Sequence, residues 1–127
     1  MPIKNFDSYL KEPNGDPYME MKPTGDFLQS GAPIFVIEEG KVVKEPVKFS
    51  LIIGNLLKNG LKDEKLSSHE VIENWNLMKN LATGGDIELT GKQITYIEKL
   101  VLASSMQKFI VGQICEYLND PEKKDNV

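Results

Sequence analysis

Beyond residue 49 the apolar residues recur at helical spacing; before residue 33 they do not. Val71, Ile72, Trp75, Met78 and Ala82 fall at i, i+1, i+4, i+7 and i+11, one stripe of an α-helix that should face the core. Ser67-Ser68-His69-Glu70 opens that stretch as a capping box, in which the serine oxygen accepts an N–H three residues on and the glutamate reaches back. Gly84-Gly85 ends it. Thr90-Gly91-Lys92-Gln93 is a second capping box and predicts a helix over 92–103, with Ile94, Ile97, Leu100 and Val101 inward. Ser104-Ser105 breaks the pattern. A last helix over 106–118 turns Phe109, Ile110, Ile114 and Leu118 inward, and its Gly112 permits a close helix approach. A shorter helix over 51–59 takes Ser50 as N-cap and stops at Gly60. Asn119-Asp120-Pro121 closes the last helix, and residues 119–127 should fray.

Extended structure is predicted upstream. Ile34-Phe35-Val36-Ile37 is β-branched and aromatic, and Val42-Val43 answers it across Glu39-Gly40. This predicts a hairpin of Ile34–Glu39 with Lys41–Phe49, limited by Pro46. Asp86-Ile87-Glu88-Leu89 alternates and could add a third strand. Residues 1–33 hold five of the seven prolines, interleaved with Gly15, Gly25 and Gly31, so long regular elements are not expected there. Asn14-Gly15-Asp16-Pro17 and Pro23-Thr24-Gly25-Asp26 are turn sequences. The segment is nonetheless rich in large apolar groups, which disordered linkers lack. It reads as an arm that wraps its own core or reaches a partner, with wrapping favoured. The predicted fold is α+β and helix-dominated: a cluster of about four helices over 34–118, a small β-hairpin, and an irregular arm over 1–33.

Composition narrows the chemistry. The 127 residues carry 19 acids and 15 bases for a net charge of −4, and every base is lysine. Nucleic-acid affinity rests on neutralising phosphates, so this balance argues against a nucleic-acid partner, as it does against a basic membrane-surface protein. No stretch approaches the roughly 20 apolar residues of a membrane span. The N-terminus lacks the apolar core of a secretory signal, and a single thiol suits a reducing compartment, so a cytoplasmic protein is expected.

One histidine, His69, excludes a multi-histidine metal site; one cysteine, Cys115, excludes an internal disulfide. Cys115 falls mid-helix, where a buried thiol is inert, and His69 sits in the first turn of a helix, where the dipole disfavours its cation. The carboxylate pairs Glu38-Glu39, Asp63-Glu64 and Glu70/Glu73 are each accounted for by a turn, a lysine-rich loop or a helix start. Glycine spacing for a phosphate loop and the acidic pattern of a calcium loop are absent. The helices over 92–103 and 106–118 have helix-turn-helix spacing, but the second offers only Gln107, Lys108, Gln113 and Glu116 outward. No catalytic residue, cofactor or metal is therefore assigned.

What is left is surface. Tyr96, Leu102, Val111 and Tyr117 fall partly outside the inward stripes. The candidate partner-binding residues are Phe6, Tyr9, Tyr18, Met19, Met21 and Phe27 of the arm, with Tyr96 and Tyr117.

Val47-Lys48-Phe49-Ser50 runs into an Ile53-Gly54-Asn55-Leu56-Leu57 helix. The Trp75 helix, the Asp86-Ile87-Glu88-Leu89-Thr90 opener and a Val111-Gly112-Gln113-Ile114 helix follow. Over 34–118 this order resembles small uncharacterised proteins of tailed bacteriophages and prophages. The resemblance implies an accessory protein of the host cytoplasm or the virion and brings no site residues with it. The expected function is non-catalytic binding that blocks or adapts a host or phage protein. A virion or tail-assembly component, for which a homo-oligomer would serve, comes second, a DNA-binding regulator third and an enzyme last.

Overall fold

A computed structural model describes residues 3–119. In chain order the elements are β1 (Ile3–Asn5), β2 (Met19–Met21), β3 (Pro23–Phe27), β4 (Pro33–Phe35), β5 (Ile37–Glu38), β6 (Lys41–Val42), β7 (Lys44–Pro46), α1 (Phe49–Asn59), α2 (Ser68–Thr83), β8 (Asp86–Glu88), α3 (Gly91–Ala103) and α4 (Lys108–Asn119). This is a helix-dominated α+β fold in which α1 packs on α2 and α3, and α3 packs on α4. The tail expected to fray lies outside the described residues, apart from Asn119 at the end of α4.

Helix ends follow local chemistry. Ser67 Oγ accepts the Glu70 N–H at 3.2 Å while Glu70 Oε1 accepts the Ser67 N–H at 3.0 Å. Thr90 and Gln93 repeat the exchange at 3.0 and 2.9 Å. Gly60 (φ +66°) and Gly84 (φ +87°) end α1 and α2 in a backbone region that favours glycine. The start of α1 differs from the expectation. Lys48, not Ser50, is its N-cap, with no side-chain cap bond. The arm supplies the acceptors instead: Phe49 N–H donates to Ser8 O at 3.0 Å and Ser50 N–H to Phe6 O at 2.9 Å.

The core takes Ile53 and Leu57 from α1, Leu77 and Leu81 from α2, Ile97, Leu100 and Val101 from α3, and Ile110, Ile114 and Leu118 from α4. The inward faces of α3 and α4 thus match the pattern, with Ile94 and Phe109 half-buried beside them. The α2 face does not. Val71, Ile72 and Trp75 are exposed, because α2 buries the Leu77–Leu81 line, roughly 140° around the helix from Trp75. Gly112 is exposed, and a Cβ there would meet nothing within 4 Å, so it serves no close helix approach.

Residues 3–18 wrap the core, and the arm is not irregular throughout. β1 pairs antiparallel with β8 (Ile3↔Glu88, Lys4↔Ile87, Asn5↔Asp86), so the strand foreseen at 86–89 exists but answers the arm and not the hairpin. Phe6 and Leu10 are fully buried. Gln113 brackets Lys11, accepting its N–H at 2.9 Å and donating to its carbonyl at 2.8 Å.

The expected hairpin holds only at its tip, where Ile37 faces Val42. Glu39 and Gly40 carry the tip's turn with φ of +51° and +75°, the both-positive geometry that matches strand twist. Its outer parts pair elsewhere: β4 returns to β3, and β7 to β2.

Candidate functional site

Residues 19–46 build a branched ribbon that contains no buried residue. Its stem is β2 against β7, with Met19 opposite Pro46 and Met21 opposite Lys44. At the top the stem forks. Lys22 N–H donates to Val43 O at 2.8 Å, Val36 N–H to Lys22 O at 2.8 Å, and Val43 N–H to Val36 O at 2.9 Å. These three bonds close a junction from which the β3–β4 and β5–β6 hairpins leave. Each pair is two-stranded, and an isolated two-stranded ribbon is marginally stable in water.

The ribbon's side chains are unlike those of an ordinary exposed hairpin. Met19, Met21, Phe27, Leu28, Ile34, Ile37 and Val42 are all exposed large apolar groups, Phe27 to 67%. Met19 and Met21 lie two residues apart, on one face of β2, and with Phe35 they line a shallow cleft whose polar edge is Glu20 and Lys44. Methionine is adaptable and fits surfaces of varied shape.

The other expected docking residues divide. Phe6 belongs to the core and is corrected out of the docking set: it is 1% exposed, with its ring edge-on to Tyr117 at 5.6 Å. Tyr117 is half-buried and holds the arm. Its hydroxyl accepts the Asn5 N–H at 2.9 Å and donates to Asn5 O at 2.6 Å. Lys4 donates to Tyr117 O at 2.8 Å beside the same ring. Tyr18 packs its ring edge on Phe109 and donates to Glu20 at 2.7 Å; burial and then that carboxylate push its hydroxyl up to about 12. Tyr9 stays exposed, with the Lys48 ammonium 5.7 Å from its ring centre. Tyr96 is half-buried, so of the expected docking residues only Tyr9, Met19, Met21 and Phe27 are exposed. The exposed α2 face was missed because its residues have helical periodicity, which reads as core.

Two clefts lie among the helices. One, about 330 Å³, runs between α2 and α3 past Glu70, Glu73, Asn74, Lys92, Tyr96 and Lys99. Tyr96 and Glu70 have structural partners there. Tyr96 donates to the Glu64 carboxylate at 2.8 Å, and burial followed by that carboxylate raises its hydroxyl to about 12. The Ser67 N–H holds the Glu70 carboxyl below its usual range. The second, about 460 Å³, is a groove between α1 and α2, bordered by Tyr9 and Lys48.

His69 is almost fully exposed, 3.7 Å from Glu73 on its own helix. Cys115 is half-buried on α4, where burial and then Glu98 push its thiol up. Among the described residues there is no group of three or more His, Cys, Asp or Glu placed to hold a metal ion. No helix among them is long and apolar enough to cross a membrane. No family model, no curated protein and no solved structure matches the chain.

Proposed function

We propose that this chain is a non-catalytic protein-binding accessory protein of the phage or prophage type, and that the ribbon over 19–46 is its docking element. It acts in the host cytoplasm by blocking or adapting a host or phage protein. The observation that supports this reading is the ribbon itself: 28 consecutive residues with seven exposed large apolar side chains and no buried one. Exposed apolar surface of this kind marks interaction sites in soluble proteins. A ribbon without a core gains stability when a partner covers it. Open strand edges also suit strand addition by a neighbouring subunit, which favours a virion or tail-assembly component as the second reading.

The test compares the full chain with a Met21→Glu/Phe27→Glu variant as baits in a host lysate, with captured proteins quantified by mass spectrometry. Both side chains are exposed, so the variant should melt like the parent. One partner retained by the parent and depleted at least tenfold by the variant is expected. Equal capture by both baits would refute the ribbon as docking element. Recovery of the chain in purified particles would move the assignment to the assembly reading.

A further inference from the structure

α2 turns three large apolar side chains to solvent: Val71 at 52%, Ile72 at 56% and Trp75 at 56%. Its anchors, Leu77 and Leu81, lie on the other side, so this face contributes little to the core. The groove beside α1 borders the C-terminal half of the same helix. Its walls are Leu51, Gly54 and Asn55 on α1 and Met78 and Ala82 on α2, and Leu51 is itself half exposed. A knob and a hole thus sit on one helix, on either side of Trp75. Val71 precedes Trp75 by four residues; Met78 and Ala82 follow it by three and seven.

We propose that this face is a two-fold interface between two copies of this chain, α2 against α2, antiparallel, with Trp75 at the axis. A two-fold contact requires a surface complementary to itself. An axis through Trp75 brings residue 71 of one copy level with residue 79 of the other. Val71 then enters the groove between Met78 and Ala82 of the second copy, beside its Leu51, and Ile72 lies along the aliphatic stem of its Lys79. The helix dipoles agree, since each helix N-terminus approaches the opposite helix's C-terminal half. Leu51, Val71, Ile72 and Trp75 together expose on the order of 400 Å² per copy, the scale of the apolar centre of an interface burying about 800 Å² per partner. Ser68, Asn76 and Lys79 supply a polar rim.

Trp75 is the chain's only tryptophan, so intrinsic fluorescence reports on this face alone. Sedimentation of the full chain over about 1–200 µM, the range of weak to moderate self-association, should show a monomer–dimer equilibrium. Trp75 emission should shift to the blue and become shielded from iodide as the dimer forms. Val71→Glu and, separately, Ile72→Lys, which sets a lysine against Lys79, should each weaken the dimer at least tenfold. Both positions are exposed, and far-UV melts of dilute protein confirm the fold; if one variant melts early, the other carries the test. Met21→Glu on the ribbon should leave the dimer intact, which separates this interface from the proposed docking element. A chain that stays monomeric over the whole range overturns the proposal. So does a dimer that survives both α2 substitutions, or one whose Trp75 emission is independent of concentration.

Discussion

Tyr117→Phe tests how the arm is held. The substitution removes one oxygen and keeps the ring, so the contacts with Phe6 and Phe49 at 5.6 and 5.2 Å are retained. What goes is the pair of hydrogen bonds to Asn5, whose N–H and carbonyl both meet the hydroxyl. The opposite edge of β1 is already paired with β8, so those two backbone groups turn to α4 and not to another strand. A hydrogen bond contributes about 1 kcal/mol net, and a half-buried group left unpaired costs somewhat more, so the variant should lose ~2 kcal/mol. For a domain of this size that is a fall of about 6–10 °C in melting temperature. Denaturant unfolding gives the free energy, and native-state hydrogen exchange gives the location. Exchange at the Asn5 amide should accelerate by at least tenfold, and the α3 core amides should quicken only by the factor that the global loss sets, about 30-fold for ~2 kcal/mol. A variant that melts within about a degree of the parent, with Asn5 exchange unchanged, would refute the docking role assigned to this hydroxyl.

Two further outcomes follow from the same geometry. Trp75→Ala, measured in dilute protein by denaturant unfolding, should cost about 1 kcal/mol or less, since the indole is half exposed and its packing partner is the Lys79 ammonium 5.5 Å away; a loss of about 3–5 kcal/mol would mean a buried indole and contradict the placement of α2. The Glu70 carboxyl is held below its ordinary value by the Ser67 N–H, so the stability it adds is fully present above that ordinary value and is lost as pH falls through the lowered one. The melting-temperature gap between the parent and Glu70→Ala should accordingly narrow between about pH 7 and about pH 3, and a gap constant across that range would remove the ionised carboxylate from the cap.

The ends of α2 and α3 were legible in the sequence because capping is a transaction within four residues. Ser67 with Glu70 and Thr90 with Gln93 complete their bonds without reference to the rest of the chain. Gly60 and Gly84 end their helices for an equally local reason. The inward faces of α3 and α4 were legible because their apolar residues form one dominant stripe. α2 has apolar residues on two sides, Leu77–Leu81 and Val71–Ile72–Trp75, and periodicity alone cannot rank them. Packing on α1 selected the leucine line and left the larger Trp75 outside.

Strand partners were beyond local reading. β1 meets β8 across more than eighty residues, and the hairpin foreseen over 34–49 pairs only over 36–43 because its outer segments find β2 and β3. Phe6 and Tyr9, three residues apart in the same arm, were read alike and ended in opposite places, one in the core and one on the surface. Local sequence determined where α2 and α3 start and where α1 and α2 stop, since those bonds close within a turn, whereas the start of α1 waits on the arm carbonyls of Phe6 and Ser8. Tertiary structure decided which apolar side chains the core would take, because burial is a competition among all faces for a limited interior, and those it left out form the surfaces proposed for binding.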